Sequence, residues 1–165
     1  GPASRGGQLK RGCAAAKGDW LLVLHADTVL SAGWSEVVHK HLGSQRAGWF
    51  RLGFDQAGVP GAVVAAWANL RSHLGLPYGD QGLLVPRRLY DQVGGYPDQP
   101  LMEDVALGRA LRGHLTGLSA RAVTSALKYQ DQGWLRRGGR NLWTLGRYMC
   151  GTSPEILAEK YRAQK

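Results

Sequence analysis

Cysteine is scarce in this sequence, with only Cys13 and Cys150. Two such distant thiols make neither a disulfide framework nor a zinc pattern, and they suit a reducing compartment, so a cytoplasmic location is expected. No apolar run comes near the roughly 18 residues of a membrane span, and no secretory leader is visible. Internal repeats, low-complexity tracts and linker-like stretches are also lacking. Acidic residues are few beside basic ones, 12 against 21, which leaves a formal charge of +9. That balance favours anionic partners such as phosphates, nucleic acid or an acidic membrane surface. The basic residues are scattered and carry no nucleic-acid-binding motif, so nucleic acid is not expected as a partner.

What is present describes one domain over 1–165. At 165 residues and 44% apolar content the chain can bury about two-thirds of its unfolded surface. The opening Gly1-Pro2 reads as a tag-cleavage scar.

Hydrophobic periodicity alternates between strand and helix. Gln8 to Lys17 reads as a helix ended by Gly18, and Trp20-Leu21-Leu22-Val23-Leu24 as a central strand buried on both faces. Trp34, Val37, Val38, His41 and Leu42 mark an amphipathic helix. Trp49 to Asp55 alternates as a strand. Pro60 opens a helix whose apolar face is Val63, Val64, Trp67, Leu70 and Leu74. A loop, Gly79-Asp80-Gln81-Gly82, leads into a strand from Leu83 to Val85 and a helix from Pro86 to Gly94-Gly95. A helix from Glu103 to Leu111, a strand from Ser119 to Ser125, a helix from Trp134 to Met149 and a polar tail complete the chain. Alternating strands and helices make the fold class α/β.

Several residues admit a chemical reading beside a structural one. Asp27 lies just past the carboxyl end of a strand, the edge where open α/β sheets bind ligands. It could hold a divalent ion on a diphosphate, or be a helix N-cap or turn aspartate. His25 could join it or pack in the core. Glu103-Asp104 could take a proton from an attacking hydroxyl, or stabilise a helix N-terminus. Asp80 and Gln81 could bond sugar hydroxyls or shape a turn. Arg5, Lys10, Arg11 and Lys17, with Gln8 among them, suit phosphate or a solvated helix face. Residues 134–165 carry seven basic and two acidic residues, with Leu135, Leu142, Leu145 and Met149 along one side of the helix. This segment could dock peripherally on an anionic bilayer, or pack on the domain with its arginines in water.

The order of the pieces is more specific than any one of them. It runs Arg5-x-x-Gln8, Gly18-Asp19-Trp20-Leu21-Leu22-Val23-Leu24-His25-Ala26-Asp27-Thr28, Asn69-Leu70-Arg71-Ser72, Gly79-Asp80-Gln81-Gly82, Gly94-Gly95-Tyr96-Pro97, Leu101-Met102-Glu103-Asp104-Val105 and Ser153-Pro154-Glu155. From about Arg5 onward the chain resembles the family 2 glycosyltransferases, most closely the small bacterial radical-SAM/selenodomain-associated subgroup. The resemblance implies a GT-A-type mixed sheet flanked by helices, N-terminally truncated because the family's opening βαβ unit does not precede Arg5. It implies an inverting transfer of sugar from a nucleotide-diphospho-sugar donor to a hydroxyl acceptor, assisted by Mn²⁺ or Mg²⁺. Asp27 matches the last acid of the metal-binding Asp-x-Asp motif, with His25 in the first acid's position. Asp104 matches the catalytic base, with Glu103 beside it. Arg5 and Gln8 match the region approaching the nucleotide, and Asp80 and Gln81 a loop near sugar and acceptor. The truncation leaves a competing expectation: a catalytically incomplete remnant that works through a completing chain or a homodimer.

Overall fold

The computed structural model describes residues 4–56 and 58–163, so the Gly1-Pro2 stretch lies outside the described residues. Helix α1 (Arg5–Ala15) begins earlier than its apolar pattern suggests, because Ser4 is its N-cap: Ser4 Oγ accepts the Gly7 N–H at 2.9 Å. Its first turn packs so closely on the 97–99 backbone that a Cβ on Gly6 would lie 2.8 Å from Gln99 N. Strand β1 (Trp20–Val23) follows, then a three-residue strand β2 (Thr28–Leu30), which periodicity cannot register at that length. Next come α2 (Trp34–His41), β3 (Ala47–Phe54) and α3 (Gly58–His73). A 3₁₀ turn (Gly79–Gln81) leads into β4 (Leu83–Pro86), α4 (Arg87–Gln92), α5 (Glu103–Ala110) and β5 (Leu115–Thr124). Helices α6 (Leu127–Gln132), α7 (Trp134–Met149) and α8 (Pro154–Ala163) end the described chain.

The strands form one mixed sheet in the order β1-β4-β3-β5-β2. Among the described residues only the β3–β5 pair is parallel. Apolar residues fill both sides. Leu21, Val85, Leu107 and Leu111 pack with α1, α4 and α5. Phe50, Leu84, Leu118 and Ala122 take Val37 and Val38 from α2. Leu52 and Phe54 meet Ala68 of α3 and the rings of Tyr129 and Trp134. The architecture is therefore α/β, a five-stranded mixed sheet flanked by helices.

Three expectations need correction. Strand β1 is not central: among the described residues it pairs with β4 alone and leaves Leu22 36% exposed. An apolar run reports side-chain preference, whereas an edge is defined by missing ladder partners that composition does not encode. Helix α3 does not bury the face marked by Val63, Trp67, Leu70 and Leu74; it turns Gly61, Ala68 and Ser72 inward and leaves those four exposed. The helix is apolar on most sides, so close backbone approach through small residues decided the face. The stretch after Ser153 is helix α8 rather than a polar tail, and it buries Leu157 and Ala158. Among the described residues no helix is long and apolar enough to cross a membrane.

Candidate functional site

Seven separate segments converge on one cavity of about 790 Å³. Helix α1 contributes Arg5 and Gln8. The turn between β1 and β2 contributes His25 and Asp27, the 3₁₀ turn Asp80, and the start of α5 Glu103 and Asp104. The far wall comes from α6, α7 and α8 through Tyr129, Arg137, Asn141, Thr144 and Tyr161.

Arg5 links two parts of this wall. Its Nε lies 2.9 Å from Glu103 Oε1, and its Nη2 lies 2.5 Å from His25 Nε2. A guanidinium only donates, so the histidine nitrogen it meets accepts. Glu103 is 1% exposed and neither of its oxygens has a well-aligned hydrogen bond. Burial lifts its carboxyl above the ordinary range; the neighbouring Asp104 charge adds to that, and Arg5 opposes it.

Asp104 is held differently. Its Oδ2 accepts the Gly79 N–H at 2.7 Å and its Oδ1 accepts the Val105 N–H at 2.8 Å. Met102, just before the pair, is left-handed with φ 63° and lines the cavity. A non-glycine residue in that region costs of order 1 kcal/mol and tends to cluster at functional sites. Gly79 completes the arrangement: a Cβ there would collide with the His25 ring and lie 3.4 Å from Asp104 Oδ2. Only the absence of a side chain lets loop, imidazole and carboxylate share this space.

Asp80 lines the cavity with Oδ1 buried and unbonded, and burial pushes its carboxyl up to about 6. Arg71 holds that rise back, while the Asp104 charge supports it. Arg71 itself sits over the Tyr78 ring, 3.3 Å from its centroid, with Nε donating to Leu76 O at 2.9 Å.

Gln81 does not reach the cavity. It is fully buried, with Nε2 donating to Phe50 O at 3.4 Å and Asn69 Oδ1 at 3.2 Å, and Oε1 accepting from Tyr78 N at 3.2 Å. These bonds anchor the 3₁₀ turn. Of the eight residues the family resemblance assigns to the site, the other seven share the cavity, whereas Lys10, Arg11 and Lys17 do not line it.

The sequence reading missed the far wall. Arg137 lies over the Tyr129 ring at 4.9 Å and donates from Nη1 to Gln132 Oε1 at 2.8 Å, while its Nε has no partner. Tyr129 stacks on Trp134, with centroids 4.9 Å apart. A signal was available: Arg137, Asn141 and Thr144 recur at i, i+4 and i+7, a polar stripe that faces inward.

Among the described residues no three His, Cys, Asp or Glu side chains converge as a metal-binding group. Asp27 nonetheless offers a carboxylate on the cavity wall, with the His25 ring in the same wall. Mg²⁺ and Mn²⁺ commonly take one or two carboxylates and complete their shell with water and substrate phosphates. The residues fit an ion shared with a bound diphosphate. They do not fit an ion caged by protein alone.

Compared with family models, with curated proteins and with solved structures, this chain has no match.

Proposed function

We propose that this chain is an inverting glycosyltransferase of GT-A type, acting on a nucleotide-diphospho-sugar and a hydroxyl acceptor. One observation carries the reading. Arg5, Gln8, His25, Asp27, Asp80, Glu103 and Asp104, spread over about a hundred residues of chain, line a single cavity of about 790 Å³. That volume lies within the range typical of small-molecule sites. Cations and carboxylates share the wall, which suits a ligand with a charged diphosphate and a neutral sugar.

Asp104 is the base. Its carboxylate, oriented by the Gly79 N–H, takes the acceptor proton as that oxygen attacks the anomeric carbon. The bond from that carbon to the diphosphate breaks on the opposite face, and the nucleoside diphosphate leaves. Glu103 positions Arg5, which contributes positive charge toward the diphosphate. Asp27 would hold Mn²⁺ or Mg²⁺, which supplies Lewis-acid neutralisation of the departing charge when bound. No protein nucleophile is required.

Calorimetric titration with UDP, GDP and dTDP, with and without Mn²⁺, tests the reading. Metal-dependent binding of one nucleotide is expected, and Asp27→Ala should abolish it. Asp104→Asn should retain binding yet slow release of nucleoside diphosphate from the matching donor by about 10²–10⁴-fold. Failure of every nucleotide to bind would overturn the reading for this chain. The open edge of β1 favours a second reading, in which a partner strand or a second copy completes the site. Sedimentation of the chain as a dimer, together with absent nucleotide binding, would support it.

A further inference from the structure

Helices α3 and α7 leave apolar surface in water that their burial pattern does not explain. On α3, Val63 is 61% and Trp67 51% exposed, with Leu70 beside them, and Leu74 just past its end is 67% exposed. These positions fall within a narrow arc of the helix, so they form one stripe. On α7, Leu135 is 85% exposed, and Leu142 and Met149 follow at intervals of seven on the same face.

The two stripes adjoin. Helix α3 packs along α7, and a Cβ on Gly138 would lie 4.0 Å from Val64 Cγ2. Leu135 and Leu142 flank Gly138 at i−3 and i+4, while Val63 and Trp67 flank Val64 on α3. Both stripes therefore lie within a turn of the α3–α7 contact, and each exposes more apolar surface than a single scattered residue does.

Charge indicates what covers it. Neither helix contains an aspartate or glutamate. Exposed Arg136 and Arg147 border the α7 stripe, and Trp143 packs its ring 5.3 Å from the Arg147 guanidinium. An apolar face with tryptophan at its margin, rimmed by arginine and free of carboxylate, complements the headgroup–acyl boundary of an anionic bilayer. A second copy of the chain complements it less well, because two such faces would bring arginines together with no carboxylate on either helix to meet them.

We infer that the joint outer face of α3 and α7 is a docking surface for an anionic lipid bilayer. Arg137, Asn141 and Thr144 face the cavity from the other side of α7, so docking leaves the cavity free. The inference is independent of the sugar-transfer reading, since vesicle binding needs no donor.

Flotation of the 165-residue chain with vesicles of phosphatidylcholine, alone or with roughly a third phosphatidylglycerol, tests it. Binding to the phosphatidylglycerol vesicles is expected, weakening as salt is raised. Arg136→Gln with Arg147→Gln should weaken it about thirty-fold, the loss of two surface electrostatic contacts. Trp67→Ser with Leu142→Ser should weaken it at least about tenfold. All four side chains are exposed, and thermal unfolding at the parental midpoint verifies the fold of each variant. Equal affinity for the two vesicle types, or binding unchanged in both variants, would overturn the proposal. So would a dimer that the Trp67→Ser, Leu142→Ser variant dissociates while the parent binds no vesicles.

Discussion

Gly79 has the His25 ring and the Asp104 carboxylate against it, and its own N–H is the donor that orients Asp104. A methyl group in that space must displace the imidazole, the carboxylate or the loop. We expect Gly79→Ala to fold, because the residue is half-buried and outside the apolar core. On the sugar-transfer reading it should lose about 10²-fold in turnover, the effect of an ångström-scale displacement of reacting groups. Nucleoside diphosphate release, followed for parent and variant under the same conditions, measures this. Unchanged turnover would mean that the Asp104–Gly79 contact does not set the geometry of the reaction.

At the scale of elements, β3 meets a problem that one asparagine resolves. Strand β4 pairs with β3 only at Gly48 and Trp49, so the same edge of β3 is open at Leu52. Asn69 of α3 closes it: Oδ1 accepts the Leu52 N–H at 2.8 Å, and Nδ2 donates to Leu52 O at 3.2 Å. The side-chain amide thus acts as one residue of a missing strand, and Gln81 extends the pattern to Phe50 O. Replacing Asn69 with Ala leaves these groups unsatisfied in a part-buried setting and should cost about 1–3 kcal/mol. Urea denaturation measures the change; a midpoint equal to the parent's would mean water replaces the amide at no cost. The tetrads Asn69-Leu70-Arg71-Ser72 and Gly79-Asp80-Gln81-Gly82, separate in sequence, are here one structural unit. Ser72 Oγ lies 2.5 Å from Gln81 Oε1.

For the molecule as a whole, the acidic groups of the cavity tie stability to pH. Glu103 and Asp80 both have carboxyl groups lifted by burial, Glu103 from 4.5 and Asp80 from 3.8 to about 6. A raised carboxyl pKa means the folded chain keeps its proton where the unfolded chain has released it. Stability from these groups is therefore fully present only below the unfolded values of 3.8 and 4.5, and it falls as pH rises through them toward the folded ones. Glu103→Gln, neutral at every pH, should flatten that slope above pH 4.5. Urea midpoints for parent and variant from pH 4 to 8 check it, on the scale of ~3 kcal/mol per carboxyl at most, less after screening. A difference between parent and variant that does not change with pH would show that Glu103 is not titrating in that window.

How much of this was legible depended on the kind of interaction. Helix α7 was readable to the residue from its own periodicity, and the bounds of β4 and α5 fell within a residue of expectation, because turn chemistry and local pattern act over a few neighbours. The short β2 was not readable, since three residues carry no period and its existence depends on pairing with β5. The acids and cations of the cavity could be named in the sequence as polar groups at strand and helix ends, but their convergence could not.

By itself, the sequence determined the α/β class, the positive charge, the absence of any apolar run long enough to span a membrane, and most helix and strand positions. These are properties of composition and of nearest neighbours along the chain. Only the tertiary structure decided that β1 lies at an edge, that α3 turns its small residues inward, that Gln81 is buried while Asp80 faces the cavity, and that α7 supplies the far wall. Each of those outcomes is set by which distant segment packs nearby, and hydrogen-bond partners and excluded volume across tens of residues leave no local period to read.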